Sequence, residues 1–441
     1  MAAHQLAHRR VTFDTAQHVI LLRSHGCNFR LPFSACSYLY IEVFFVSSAK
    51  SATGRIRTSE LRLGIIGLGR GFMLTLPALA AHPAVRLAGA ADPRAEALEA
   101  FGRDYGARTY GDHTALLADD AIDAVYIASP HQFHAEQAIA AARAGKHVLV
   151  EKPMATSHAD CLAMAESAEC AGVALIVGPS HGFDAPVHHA ASIIASRTLG
   201  RVRMITALNY TDFLYRPRRP EELDGAKGGG VVYSQAAHQI DVVRRLAGTA
   251  VRSVRATIGQ WDPARPCEGA YNALLNFEDG ATATLTYGGY GRYDSDELMG
   301  WISELGRPKD PAAYGAARRA LAAIADGGEA AAKLARAFGV GGAAGIPAPA
   351  PHHEHFGFVL VSCERGDLRL MPDGVWVYSD TGRRFEALPP PVIPREAVIG
   401  EFVAAVRGER PPIHDGHWGA ATVACCEAIH RSSAERREIL M

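Results

Sequence analysis

Short apolar runs and alanine-rich amphipathic stretches alternate along the chain from residue 61 onward. The runs at 61–68, 85–92, 124–129, 147–151 and 173–178 are nearly free of polar residues, and helical text such as 135–144 and 159–171 lies between them. Strands covered on both faces lose the inside–outside alternation, so this rhythm predicts βαβ units around a parallel sheet. Beyond about residue 180 the pattern changes. Strand-like runs at 270–277 and 281–287 flank Glu278-Asp279-Gly280, and runs at 367–371 and 375–379 flank Pro372-Asp373-Gly374. Asp- and Gly-rich turns between strands are hairpin signals, so a largely antiparallel open sheet is expected in a second α/β domain.

Helical segments are expected at 396–406 and 419–433, packing back on the body. Residues 311–351 are rich in Ala and Gly and end in alternating prolines, which predicts a helical insertion closed by an extended linker. The organisation read from the pattern is thus an α/β chain in four parts. Residues 1–58 form a poorly ordered extension, 59–180 a Rossmann-type parallel-sheet domain, 181–394 a second α/β domain, and 395–441 the closing helices.

Length and composition agree with this picture: 441 residues exceed one ordinary core, with 48% hydrophobic and 21% charged residues. A formal charge of −1 offers no field for nucleic acid or an anionic membrane. The apolar run at 38–46 is interrupted by Glu42 and too short to span a bilayer, and eight scattered cysteines form no C-x-x-C pair. A cytoplasmic protein with reduced thiols and a small-molecule substrate is expected. Histidines at 352, 353 and 355 beside Glu354, and at 414 and 417 around Asp415, lack rigid ligand spacing, so no metal is expected.

The first strand runs into Gly67-Leu68-Gly69-Arg70-Gly71-Phe72 and then a helix. Glycines in that setting let backbone approach a pyrophosphate at the helix amino terminus. Phe72 stands where a third glycine is usual, which implies altered packing or phosphate approach there. Asp92 follows 25 residues after Gly67, at the end of the second strand, where a carboxylate accepts ribose hydroxyls and repels a 2′-phosphate. Arg94 offers the opposite charge. NAD is the expected cofactor, with NADP left open.

Lys152 ends another strand, at the crevice where open α/β sheets bind ligands, and a partly buried amine there can take a proton from a hydroxyl under oxidation. Its setting, Glu151-Lys152-Pro153 preceded by Ser129, His131 and His134, together with the glycine loop and residues 228–241, resembles the glucose-fructose oxidoreductase/inositol dehydrogenase/MocA family over about residues 60–290. The resemblance implies that Lys152 and His238 share proton transfer, that the Lys152–Pro153 peptide is cis, and that Arg70, Ser129, His131, His134 and Glu151 border the cofactor. Ser234 stands where sugar enzymes of the family carry Asp, which makes a polyol less expected. Asp241, one turn after His238, could orient it or serve as a salt-bridging acid beside Arg244 and Arg245. His181 is expected on the pocket rim.

Arg216, Arg218 and Arg219, stiffened by Pro217 and Pro220, suggest a carboxylate-binding loop; the bland alternative is a solvated basic loop countered by Glu221 and Glu222. With residues 233–241 and 361–365 this loop resembles the phthalate 4,5-cis-dihydrodiol dehydrogenase branch, implying oxidation of a carboxylated cyclohexadiene diol. Two readings compete: a sugar or inositol dehydrogenase, and a non-catalytic NAD-binding regulator. A homodimer or homotetramer is implied by the family.

Overall fold

The computed structural model describes residues 60–339 and 348–441, together with three short strands, β1 (Val11–Asp14), β2 (Val19–Ser24) and β3 (Cys27–Pro32), which pair antiparallel in that order. Most of the expected amino-terminal extension lies outside the described residues.

The nucleotide-type domain is built from β4 (Leu61–Ile66), α1 (Arg70–Ala81), β5 (Val85–Ala91), α2 (Ala95–Tyr105), β6 (Arg108–Tyr110), α3 (His113–Leu117), β7 (Ala124–Ile127), α4 (His134–Arg143), β8 (His147–Val150), α5 (His158–Ala171) and β9 (Leu175–Val177). Its six strands are all parallel, in the order β6-β5-β4-β7-β8-β9. The chain reverses between β4 and β7, so the glycine loop after β4 opens on the crevice where such sheets bind ligands. Strand β6 is three residues long and mostly exposed, which is why no apolar run announces it.

The second domain begins with α6 (Ala185–Ala195) and β10 (Val202–Tyr210), then α7 (Ala237–Ala247), β11 (Val251–Gly259), β12 (Ala270–Phe277) and β13 (Thr282–Gly288). The insertion carries α8 (Ala316–Ala322) and α9 (Glu329–Leu334), and residues 340–347 of it lie outside the described residues. Strands β14 (Phe358–Cys363), β15 (Gly366–Met371), β16 (Gly374–Ser379) and β17 (Gly382–Ala387) follow. The sheet has nine strands, β17-β16-β15-β14-β10-β13-β12-β11 and, at the edge, β18 (Ile439–Leu440); every pair is antiparallel except β10 with β13.

Two helices close the molecule and join its halves. α10 (Glu396–Val406) buries Val398, Ile399, Phe402 and Val403 in the core of the nucleotide-type domain. α11 (Gly416–Glu435) lies between α5 of that domain and β11 of the other.

Candidate active site

Gly67 has φ +93°, and a Cβ there would fall 2.8 Å from the Ser129 nitrogen. Only glycine lets β4 turn this closely past the end of β7. Gly69 begins α1 without a side-chain cap, and the first turn holds no acid, so its amides are free for an anion. This donor set fits a dinucleotide pyrophosphate. Gly71 packs onto the Glu151 carboxylate, where a Cβ would come within 2.9 Å. Glu151 in turn accepts from Tyr126 Oη at 2.6 Å and is pushed above its ordinary pKa by burial.

Phe72 corrects the expectation made for it. Its ring is fully buried between Phe101 and Phe338, so the bulky residue at that position is taken up by core packing. The His134 ring nitrogens lie 3.0 Å from the Pro153 and Ser129 carbonyls, stapling the Lys152 turn to the neighbouring loop. Ser129 Oγ donates to Gln137, and His131 is driven down to about 4 by burial and by the nearby His134. Arg94 does not reach out for a 2′-phosphate. Its guanidinium grips Asp92 at 2.9 and 3.1 Å and donates to the Leu68 and Phe338 carbonyls. Asp92 also accepts from the Leu68 amide at 2.7 Å, which ties the second strand to the glycine loop.

Lys152 follows β8 through a cis peptide to Pro153. Its Nζ donates to the Ser234 carbonyl at 3.1 Å, and burial lowers its pKa to about 8. That carbonyl is presented by a π-helical turn, Val232–Ala236, which leads into α7. The turn is supported by the buried Glu268, whose carboxylate accepts from the Val232 amide at 3.3 Å; a Cβ on Gly230, at φ +89°, would collide with that carboxylate. The Ser234 hydroxyl itself is turned onto the Gly230 carbonyl. A serine in place of an acid therefore contributes its backbone to the site.

His238, on the first turn of α7, is 8% exposed, and its Nδ1 has no hydrogen-bond partner. Burial, Lys152 and His181 hold it well below its ordinary pKa, so it is a neutral imidazole. Its ring meets His181 at 4.6 Å and Phe356 at 4.8 Å. His181 Nδ1 pairs with Asp184 at 2.7 Å; burial opposes the imidazolium, yet Asp184 raises its pKa. Burial lifts Asp184 to about 6. A cavity of about 990 Å³ reaches this group, walled by His181, Asp184, His238, Glu354 and Arg395. His181, Asp184 and Glu354 could converge on a cation, but Arg395 already pairs with Glu354 at 3.2 Å and opposes one.

Asp241 corrects a second expectation. It makes no bond to His238 and instead accepts from Ser180 Oγ at 2.6 Å, the Gly182 amide at 3.0 Å and Trp418 Nε1 at 2.5 Å. It clamps the loop that carries His181. Of the arginine loop, Arg216 pairs with Asp212 at 3.0 Å and Glu304 at 3.4 Å, and Arg219 lies beside Glu221 and Glu222. Arg218 differs: its guanidinium lies 3.5 Å over the Phe213 ring, donates to the Phe213 carbonyl and has no carboxylate within ion-pair distance, while its buried Nε, like that of Arg219, lacks a hydrogen-bond partner. Burial and Arg216 lower its pKa to about 10, still a cation. Asn209, fully buried, donates to Glu304 at 3.0 Å.

Glu304 and Arg395 were invisible to sequence reasoning, and Glu354 was noted only beside the histidines at 352, 353 and 355. They come from irregular segments with no motif around them, whereas Asp184, three residues after His181, had a local signal in its spacing. The two histidine clusters considered for a metal disperse: His352 goes to Asp373, His353 to the Pro389 carbonyl, His355 to the Ile302 carbonyl, His414 to Glu401 and His417 to Glu169.

Comparison with known proteins gives concordant results. A family profile described as "Oxidoreductase family, NAD-binding Rossmann fold" matches residues 61–179, and the "GFO/IDH/MocA C-terminal domain" matches 187–299. The chain is 44% identical over 372 residues to 1-carboxy-3-chloro-3,4-dihydroxycyclohexa-1,5-diene dehydrogenase of Comamonas testosteroni, covering 84% of this chain and 94% of that one. It is 33% identical over 231 residues to D-xylose 1-dehydrogenase (NADP(+)) 2 of Haloferax volcanii, covering 51% and 68%. A solved structure of an assigned dehydrogenase from Bordetella bronchiseptica RB50 superposes with TM-score 0.82 at 41% identity, over 87% of this chain and 100% of that one.

Proposed function

The chain belongs to the GFO/IDH/MocA oxidoreductase family and is a dehydrogenase with an NAD-binding Rossmann domain, and from that premise we propose that it oxidises a carbinol carbon of a small carboxylated cyclic diol. The observation that carries the substrate class is Arg218, a cation whose charge acts on Lys152 and which has no carboxylate within ion-pair distance. A buried guanidinium of that kind is stabilised by a planar anion that it can hold by two parallel bonds. The 44% identical relative, named for a carboxylated dihydroxycyclohexadiene, supports the same reading.

The glycine loop and the α1 amides would hold the pyrophosphate. When bound, the dinucleotide supplies the hydride acceptor. Lys152, with its pKa near 8, takes the hydroxyl proton as the carbinol C–H leaves with its electron pair, and the carbon becomes a ketone. His238, a neutral imidazole with Nδ1 unpartnered, donates a ring N–H to the carbinol oxygen or takes the proton onward from the Lys152 ammonium. In a cyclohexadiene diol the ketone enolises to an aromatic dihydroxy acid, which makes that direction effectively irreversible. With Arg94 held on Asp92, the site favours NAD over NADP. The test is NAD+ reduction by carboxylated cis-dihydrodiols against their uncarboxylated analogues and against polyols. Turnover of the carboxylated diols is expected, and turnover confined to sugars or inositols would sink the reading. We also infer self-association through the outer face of the nine-stranded sheet.

A further inference from the structure

The insertion does not end in solvent. On its substrate-domain side Glu329 of α9 accepts from the Arg218 amide at 3.1 Å and from Arg265 at 2.9 Å, and Lys333 pairs with Glu222. Immediately past α9 the chain crosses to the other domain. The Phe338 amide donates to the Leu68 carbonyl at 3.0 Å, inside the glycine loop, and its ring meets Phe72 and Phe101 edge-on at 5.6 and 5.9 Å. Arg94 donates to the Phe338 carbonyl, and Gly339 lies against Ala97. Residues 329–339 thus form a strap fixed at both ends.

Arg336 stands two residues before that anchor. Two residues span at most about 7 Å, so its long side chain starts within reach of the glycine loop. It is exposed, and its charge acts unfavourably on that of the half-buried Arg70, the first residue of α1. Among the described residues neither guanidinium has an ion pair or a side-chain hydrogen bond; α1 has no acid in its first turn, and the carboxyl packed on that turn, Glu151 against Gly71, is pushed toward its neutral form by burial. Two cations beside an uncapped positive helix end repel one another unless an anion lies between them.

We propose that Arg336 is a ligand for the pyrophosphate of the dinucleotide, so that an insertion of the second domain completes the nucleotide site of the first. The proposal rests on the family's NAD-binding domain and not on the substrate reading. It is tested by calorimetric titration of the full chain with ADP-ribose and with adenosine, which shares the base and one ribose but has no phosphate. Arg336→Ala is expected to weaken ADP-ribose about tenfold at low salt and leave adenosine unchanged, with Arg336→Lys in between and the difference shrinking as ionic strength rises. ADP-ribose affinity within twofold of the unsubstituted protein would overturn the proposal, as would an equal loss for adenosine, which would mark a purely structural role.

Discussion

Lys152 shows how far a single residue could be read. Its place at a strand end made it a candidate base from the sequence, but the depression of its pKa to about 8 depends on burial that only the folded cleft supplies. The amine must be unprotonated to accept a proton, so kcat/KM should rise about tenfold per pH unit below about 8 and level off above it, measured as NAD+ reduction across pH. Lys152→Ala should lower kcat about 10²- to 10⁴-fold while ADP-ribose binding stays unchanged; unchanged turnover would remove Lys152 from the chemistry. Arg218 carries a different prediction. Arg218→Ala should raise KM for a carboxylated diol about 10- to 100-fold, by loss of a charge-assisted bond, and barely change it for an uncarboxylated analogue. Equal effects on both substrates would show that the arginine serves the loop and not the ligand. The arginines looked equivalent in the sequence because the acids that neutralise Arg216 and Arg219 are only partly local: Glu304 lies 88 residues from Arg216.

The elements were legible where their packing is regular. α10 falls at the residues its periodicity indicates, and the Asp–Gly turns mark the β12–β13 and β15–β16 hairpins within a residue or two. The π-helical turn before α7 was not legible, because it follows from Glu268 and Gly230 meeting across 38 residues. Asp241 belongs to this scale as well. It joins the His181 loop, α7 and α11 through three donors, so Asp241→Asn should lower the unfolding free energy by about 2–3 kcal/mol in urea titration, since an amide leaves buried donors mispaired. Stability within about 0.5 kcal/mol of the parent would show that the clamp is dispensable.

Over the whole molecule, α11 and the strap, both from the carboxyl-terminal part of the chain, connect the two domains, and the candidate catalytic groups sit where the domains meet. Lys152 and His181 follow strands of the first sheet, while His238 and Arg218 come from the second domain. The outer face of the nine-stranded sheet exposes Met204 (47%), Leu274 (38%) and Phe385 (38%) among threonines and asparagines. Apolar groups on a flat open sheet suit a symmetric partner surface. Sedimentation of the parent should give a dimer or tetramer, and Leu274→Asp with Met204→Lys should shift it toward monomer; a monomeric parent would refute self-association. No described helix is long and apolar enough to cross a membrane.

The sequence by itself determined the parallel sheet, the hairpins and the glycine loop, because each depends on local periodicity or on residues close in the chain, whereas the joint role of Lys152 and His238 rests on resemblance. Only the tertiary structure decided that Phe72 packs in the core, that His134 bonds two carbonyls, that Asp92 and Arg94 bind each other, that Asp241 holds a loop and not His238, and that Arg218 alone of its loop lacks an ion pair. Those outcomes turn on which groups are brought into contact across tens or hundreds of residues, and on how much water is excluded around them. No spacing along the chain records either quantity.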